Sequence, residues 1–302
     1  MNIAPLIKFW PLMHSIIREF WNIIEGRIEA AAAREEIPIE LYLYSEFGLD
    51  YFSTKDFQKR DPFSNPEKFE KNFARLNMLG WVEPLEDGSS RVTDKAQESV
   101  RRIICAGDER LAGFASMSDH DLGRLVILLK QITTECKLTR QPPEKWAIFK
   151  RFRVAHDQSP LIVQVREYLM DMYAYRDDSH LSAARPHFNA AGIVWLVLGA
   201  LAKGDAVNAE QMADAMSFRG YEVDDYEIAI EAAVEIGWVE PADRPKAFRL
   251  TQKGKDLREA VERLTNEYFY TPWSVLTQAE IDELFDLLIT LRHELTVYRK
   301  SQ

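Results

Sequence analysis

The sequence predicts a mainly α-helical protein with two small β-hairpins, arranged as two similar halves. Apolar residues recur at helical spacing along most of the 302 residues, and the pattern becomes extended at two short places. Both places contain the pentapeptide Gly-Trp-Val-Glu-Pro, and the flanking segments also recur at a spacing that drifts only from 157 to 159 residues. The matching segments are 80–84 with 237–241, 91–95 with 249–253, and 118–129 with 277–288. Such a slow drift indicates a duplicated domain whose turns have diverged.

Length and composition place the domain boundaries. With 46% hydrophobic and 28% charged residues, the chain is typical of a globular protein and has room for two domains of roughly 150 residues each. We assign residues 1–140 to the first repeat, 141–158 to a linker and 159–302 to the second repeat. The linker begins with a proline-rich turn and contains a short amphipathic helix predicted at 144–152.

The first repeat opens with helices. Apolar residues from Phe9 to Ile28 fall at spacings of three and four, which predicts a long leading helix, and Pro38 ends its extension. A second, short helix is predicted at 39–47. Ser53 is a candidate N-cap for a third helix at 54–59, because its hydroxyl can accept an early backbone N–H.

A fourth helix and a hairpin follow. Pro66 suits the first turn of a helix at 67–79. Its predicted inward-facing residues are Phe69, Phe73, Leu76 and Met78. Segments 81–84 and 91–93 alternate as strands around a polar turn and predict a small hairpin.

Two further helices complete the repeat. Thr93 can cap the helix after the hairpin, and Ser118 with Asp121 resembles a capping box at the start of the last helix. The resulting order of helix, helix, helix, hairpin and helix is that of a winged helix-turn-helix domain, here enlarged by a long leading helix and two trailing helices.

The second repeat shows the same order with one insertion. Residues 166–168 match residues 18–20 at a spacing of 148, so about nine residues are extra before the later segments. Polar residues from Asp177 to His180, together with Pro186, predict that this surplus forms a loop. A buried helix is then expected at 187–203.

The order of the predicted elements and the short sequence motifs around the hairpins resemble those of the MarR-type winged-helix regulators. The resemblance rests on Leu79 to Val82 with Arg91 to Thr93, and on the equivalent 236–239 with 249–254; the first repeat has Ala96 where the family commonly has glycine. In that family the flanking helices form the dimer interface. The resemblance therefore implies two tandem winged helix-turn-helix domains that form a pseudo-twofold, dimer-like unit within one chain, a monomeric pseudodimer for which further dimerisation stays open.

The charge distribution makes the two repeats unequal. The net charge is −10, with 21 basic and 23 acidic residues in 1–150 against 17 and 25 in 151–302. In winged helix-turn-helix proteins the helix before the hairpin enters the major groove, and basic residues near it grip phosphates. The candidate contacts to double-stranded DNA are Lys55, Lys59, Arg60, Lys68, Lys71, Asn72, Arg75 and Arg91.

Acidic residues oppose this assignment. Glu67, Glu70, Glu86 and Asp87 lie at the start of the same helix and at the wing tip, so a solvated helix face explains the mixed charge about equally well. In the second repeat, segment 220–235 contains six carboxylates and no Lys or Arg, which disfavours a symmetric grip on DNA.

The resemblance also implies a pocket for an apolar small molecule, where the leading helix, the second helix and the long helix after the wing converge. Aromatic residues with an occasional polar edge suit such a ligand, although they suit a hydrophobic core as well. The candidate ligand-binding residues are Trp10, His14, Tyr42, Tyr173, His187 and Trp195.

Other classes of function lack support in the sequence. It contains no catalytic motif, dinucleotide fingerprint or phosphate loop, and two cysteines with six scattered histidines predict neither a metal site nor a cofactor. No apolar stretch is long enough for a membrane span. We therefore expect a cytoplasmic, non-enzymatic transcriptional regulator that binds DNA and responds to a ligand. The alternative is a winged-helix scaffold that has lost DNA binding and acts through protein contacts or a bound small molecule.

Overall fold

The computed structural model describes residues 3–188 and 192–301, and these residues form a mainly α-helical protein with small antiparallel sheets, as predicted. The elements of the first half are α1 (Phe9–Arg34), α2 (Ile39–Tyr44), β1 (Tyr51–Phe52), α3 (Thr54–Arg60), α4 (Pro66–Met78), β2 (Val82–Pro84), β3 (Ser90–Val92), α5 (Asp94–Ala112) and α6 (Asp119–Leu138). After α7 (Ala147–Lys150), those of the second half are α8 (Leu161–Ala184), α9 (Gly192–Lys203), α10 (Ala209–Ala215), α11 (Val223–Glu235), β4 (Val239–Pro241), β5 (Phe248–Leu250), α12 (Gln252–Tyr270) and α13 (Gln278–Lys300).

The predicted helix caps are confirmed. The hydroxyls of Ser53, Thr93 and Ser118 each accept a hydrogen bond from the backbone N–H three residues later, at the starts of α3, α5 and α6. Phe69, Phe73 and Leu76 of α4 are buried as predicted. The inward orientation predicted for Met78 is wrong, since it is 81% exposed at the end of the helix, where the chain turns away from the core.

Both predicted hairpins form. β3 lies between β1 and β2 in a three-stranded antiparallel sheet, and Val82 is opposite Val92. In the second half β4 pairs with β5, and Val239 is opposite Leu250. The apolar pairs are buried on the core side, which fixes the register of each short hairpin.

The long helices of the two halves pack reciprocally. α5 lies on α1 and α12 lies on α8, while the last helix of each half crosses to the other half, α6 onto α8 and α13 onto α1. Where α6 meets α13, Arg124 donates two hydrogen bonds to Glu283, with lengths of 2.8 and 2.6 Å. These two residues are 159 apart, the spacing of their matching segments, so equivalent positions meet as they do at a twofold axis.

The long helices α1, α5, α6, α8, α12 and α13 pack together, and we call them the helical base. Two lobes project from it. We call residues 39–92 the first lobe and residues 192–250 the second lobe. The hydrophobic core of the first lobe is continuous with that of the helical base. The second lobe has a separate core that includes Trp195, Tyr226 and Trp238.

The loop predicted near Asp178 to Pro186 is wrong, because α8 continues to Ala184. Asp178 is buried, and its carboxylate accepts hydrogen bonds from the backbone N–H groups of Trp146, Ala147 and Ile148. Asp178, which resembled a loop residue, is therefore a buried group whose hydrogen bonds are satisfied by the linker.

Two other boundaries also differ from the prediction. The linker helix predicted at 144–152 is limited to Ala147–Lys150. Of the helix predicted at 187–203, the described part starts at Gly192, and residues 189–191 lie outside the described residues.

Candidate nucleic-acid interface and ligand cavity

The exposed face of α4 contains two of the predicted DNA contacts. Lys71 Nζ lies 3.3 Å from a Glu67 carboxylate oxygen, and Arg75 Nη1 lies 3.4 Å from Glu40 Oε1. Both Lys71 and Arg75 are half exposed or more. Exposed ion pairs of this kind contribute about 0–1 kcal/mol. Either cation can therefore exchange its carboxylate for a phosphate at little cost.

Three further predicted contacts lie around the wing and α3. Lys55 is exposed, Lys59 Nζ pairs with Asp56, and Arg91 pairs with Glu83 across the hairpin. The groove between α3, α4 and the wing has a volume of about 820 Å³. Its lining includes Lys55 together with the acidic residues Asp56, Glu70 and Asp87. The predicted interface is therefore of mixed charge, as the sequence indicated.

The remaining three predicted contacts have partners within the protein. The Arg60 side chain is only 7% exposed, and it donates to an Asp177 carboxylate oxygen at 3.2 Å. Asn72 donates to the Tyr44 hydroxyl, and Lys68 Nζ donates to the Phe218 carbonyl. Sequence reasoning missed these partners of Arg60 and Lys68 because they are more than 100 residues away.

In the second lobe, α11 presents carboxylates. Glu222 and Asp225 form a capping box at its start, which stabilises the helix. Asp224, Glu227 and Glu231 are exposed along the helix. This face has no cation among its described residues that could contact a phosphate.

A cavity of about 290 Å³ lies between α1, α2, α8 and the linker. Three of the predicted ligand-binding residues, His14, Tyr42 and Tyr173, line it. Trp10 lies beside them, with its ring centroid 5.6 Å from that of Tyr173. Four of the six predicted residues are thus brought together.

The other two predicted residues lie elsewhere. Trp195 is buried in the core of the second lobe, where its ring centroid is 6.5 Å from that of Trp238. His187 lies in a 3₁₀ turn after α8. Trp195 is on α9 of the second lobe, whereas the cavity is lined by residues of α1, α2, α8 and the linker.

Two arginines that the sequence analysis did not single out line the cavity. Arg153 donates to Glu46 and to the Tyr42 hydroxyl, and its Nε is buried without a hydrogen-bond partner. Arg166 Nε donates to Glu167 at 2.9 Å, while its Nη1 is 3.3 Å from Asp108 but not aligned for a hydrogen bond. Each arginine therefore has one buried nitrogen without a hydrogen-bond acceptor.

Behind these arginines, Arg151 binds three acidic residues. Its side chain is 1% exposed, and it donates to Glu46 at 2.7 Å, to Glu167 at 2.6 Å and to Asp171. Burial alone would raise the pKa of both glutamates, but the surrounding guanidinium groups outweigh it. The pKa of Glu46 lies well below its usual range and that of Glu167 is about 2, so both are ionised at neutral pH.

His14 and Tyr173, two polar groups in the cavity wall, are neutral at pH 7. Burial, together with the charge of Arg18, lowers the pKa of His14. The charge of Asp177 and burial raise the pKa of Tyr173 to about 12. The described lining includes Arg18, Arg153 and Arg166 but no aspartate or glutamate, while Glu46 and Glu167 pair with the last two from behind.

Residues 3–188 and 192–301 contain neither a candidate metal site nor a candidate membrane-spanning helix. No group of three or more His, Cys, Asp and Glu side chains there is placed to hold a metal ion. None of the helices in that part of the chain is long and apolar enough to cross a membrane.

Comparison with known proteins supports a helix-turn-helix domain. The model of a helix-turn-helix family matches residues 174–297, which is less than half of the chain. The match covers the end of α8, the whole second lobe, α12 and most of α13. No curated protein and no solved structure matches the chain.

Proposed function

We propose that the chain is a cytoplasmic winged-helix transcriptional regulator of the MarR type that contacts double-stranded DNA mainly through its first lobe. The observation that supports this proposal is the contrast between two equivalent helices in a helix-turn-helix fold. α4 exposes Lys71 and Arg75 in weak surface pairs, whereas α11 exposes carboxylates.

Electrostatics makes the proposed contact asymmetric. Cations that replace phosphate counterions supply most of the sequence-independent affinity for DNA, and the first lobe has them at α3, α4 and the wing. Carboxylates on α11 would repel a duplex that lay against both lobes. The first lobe would therefore bind DNA while the second lobe lies away from it.

We also propose that the two halves arose by duplication and that the chain is a monomeric pseudodimer. The contact between Arg124 and Glu283 supports this view. In a homodimer of one repeat, identical side chains would face each other at that position, and two arginines or two glutamates would repel. A fused chain allows opposite charges there. Native mass spectrometry should give the mass of one chain, and a dimer at micromolar concentration would contradict the proposal.

A salt titration of binding to mixed genomic duplex tests the DNA proposal. Affinity should fall steeply with salt, because each phosphate contact contributes about −0.9 to the slope of log K against log [salt]. Lys71→Glu combined with Arg75→Glu should weaken binding at least tenfold. Arg263→Glu, an equally exposed cation on α12, is the control and should have little effect. Absence of binding at low salt would reject the proposal.

A second candidate, small-molecule binding in the cavity, is favoured by the unpaired N–H groups of Arg153 and Arg166. Aromatic walls and arginines in the lining suit an aromatic anion of low molecular weight. This function is compatible with a ligand-responsive regulator and also with a scaffold that does not bind DNA.

Thermal stability in the presence of simple aromatic compounds tests the second candidate. Benzoate should raise Tm, whereas benzyl alcohol, its uncharged counterpart, should not. Arg153→Gln should abolish the effect of benzoate, and Arg27→Gln, on α1 but outside the cavity, should preserve it. An equal response of both variants would contradict binding in the cavity.

A further inference from the structure

The helix-turn-helix turns of the two lobes contact each other. We call this contact the interlock; it consists of residues 61–68 of the first lobe and residues 217–220 of the second. Asn65, the N-cap of α4, donates from its backbone N–H to the Arg219 carbonyl at 2.9 Å. Its side-chain amide donates to the Gly220 carbonyl at 3.0 Å, and Lys68 Nζ donates to the Phe218 carbonyl.

An ion pair and an aromatic side chain extend the interlock. Arg219 Nη1 donates to Asp61 Oδ1 at 2.5 Å, and both side chains are more than three-quarters buried. Phe63 packs against the core of the second lobe, with its ring centroid 5.8 Å from that of Phe188. At Gly192 an added Cβ would lie 2.0 Å from the Pro62 carbonyl oxygen, so the backbones of the two lobes are in contact there.

The interlock joins equivalent places in the two lobes. With the spacing of 157 found at the hairpins, Asp61 corresponds to Phe218 and Asn65 to Glu222, the N-cap of α11. The hydrogen bonds within the interlock join residues 150 to 158 apart in the chain. The N-termini of α4 and α11 therefore lie side by side across the pseudo-twofold axis.

This arrangement conflicts with the usual docking of such helices on DNA. A helix-turn-helix reads bases with the N-terminal residues of its recognition helix, and paired helices enter grooves about 34 Å apart. Here Asn65 and Lys68, at the start of α4, are hydrogen-bonded to the second lobe. Lys68, a predicted phosphate contact, donates instead to the Phe218 carbonyl, and burial lowers the pKa of its ammonium group.

We propose that the interlock is an autoinhibitory contact, and that the first lobe binds DNA only after the interlock opens. The inference rests on the proposed DNA-binding function. The side-chain hydrogen bonds of Asn65 and Lys68 are at the protein surface, and the second lobe has its own core, so the lobes can separate without unfolding. The apparent affinity for DNA is then the intrinsic affinity multiplied by the fraction of open molecules.

Arg219→Glu tests the proposal because it places two carboxylates together in the interlock. The substitution makes the chain more negative, so any tighter binding to duplex cannot come from added positive charge. Arg249→Glu, which changes the same charge on the exposed wing of the second lobe, is the matched control. Arg219→Ala provides a milder opening if the glutamate variant does not fold.

The experiment combines a distance measurement with duplex binding. Spin labels at Ala74→Cys and Glu231→Cys, equivalent exposed positions of α4 and α11, are introduced in a Cys105→Ser background. Opening by Arg219→Glu should lengthen the distance between labels, and duplex should bind about five- to tenfold more tightly. The control variant should change neither quantity, and excess duplex should lengthen the distance in the otherwise wild-type protein.

The outcomes separate this inference from the proposed function. An unchanged distance in both Arg219 variants, or a longer distance without tighter binding, would overturn the interlock as an inhibitor while wild-type binding to duplex stands. If neither the closed nor the opened protein binds duplex, the proposed function itself is wrong and the inference falls with it.

Discussion

The two lobes have the same order of helices and hairpin, with the additional strand β1 in the first lobe, but they differ in surface and in core. α4 has cations on its exposed face, while α11 has carboxylates and begins with an acidic capping box. The first lobe shares a core with the helical base, whereas the second lobe has a core of its own. The comparison teaches that buried positions maintain this fold, while the exposed faces and the junctions with the base are free to diverge.

The two lobes also differ at one residue where the hairpin packs closely against the helix that follows it. In both lobes a threonine caps the helix after the wing, and its N–H donates to the carbonyl of the buried tryptophan that begins the hairpin. The third residue of that helix is Ala96 in the first lobe and Gly254 in the second. A Cβ at Gly254 would lie 2.2 Å from the Trp238 carbonyl oxygen, so the second hairpin sits too close to its helix for any side chain.

The largest expected effect comes from exchanging these two residues. Gly254→Ala should destabilise the second lobe by about 2–3 kcal/mol, because overpacking against the backbone exceeds the gain of about 1 kcal/mol from helix propensity. Ala96→Gly should cost about 1–2 kcal/mol, since propensity and a buried methyl group are lost. Urea denaturation combined with amide hydrogen exchange at 239–250 measures both. Stabilisation by Gly254→Ala would contradict the difference between the lobes.

A smaller effect should appear in the pH dependence of stability. His180 lies on α8 beneath the second lobe, with its ring nitrogens 3.4 Å from Trp195 Nε1 and Thr265 Oγ1; the equivalent residue of α1 is Ala32. Burial, aided by the charges of Arg258 and Arg176, lowers the pKa of His180 to about 4. The unfolded chain therefore takes up this proton first as pH falls below 6.5.

The contribution of neutral, buried His180 to the free energy of unfolding is fully present above pH 6.5 and is lost as pH falls towards 4. Between pH 7 and pH 5 the loss should be about 2 kcal/mol. Asp177 acts in the opposite direction, because burial raises its pKa to about 6 and protonation then favours the folded state. His180→Gln leaves Asp177 in place, so the difference between the two stability curves isolates the histidine. Parallel curves would show that His180 does not distinguish the halves.

The smallest effect is expected on the acidic face of α11. Glu227→Gln with Glu231→Gln removes two exposed like charges one turn apart and should raise the free energy of unfolding by a few tenths of a kcal/mol. Duplex binding should become slightly tighter, because repulsion of phosphates decreases. Weaker binding by this double variant would place the DNA contact in the second lobe and reverse the assignment of the lobes.

Local patterns predicted the elements well where each element supplies its own signal. Ser53, Thr93 and Ser118 cap helices as expected, and the two hairpins form at the repeated pentapeptide. The prediction was wrong where a polar residue is explained by a partner far away in the chain. Asp178 resembled a loop residue because its partners, the N–H groups at the start of α7, are some 30 residues away in the chain.

The candidate sites were predicted less completely for the same reason. Charge and residue type identified Lys71 and Arg75 on an exposed face, but gave no sign that Arg60 faces α8 or that Lys68 is hydrogen-bonded to the other lobe. The aromatic residues of the cavity were found in part, whereas Arg153 was missed because it lies in the linker.

By itself, the sequence determined the repeated order of helices and hairpins and the opposite charges of α4 and α11. These follow from periodicity, capping and composition, which act over a few residues. Only the tertiary structure decided that Asn65 meets Gly220, that Arg124 meets Glu283, and that the cavity lies beside Arg153. Such contacts join residues more than 100 positions apart, and they depend on how the helical base sets the two lobes against each other.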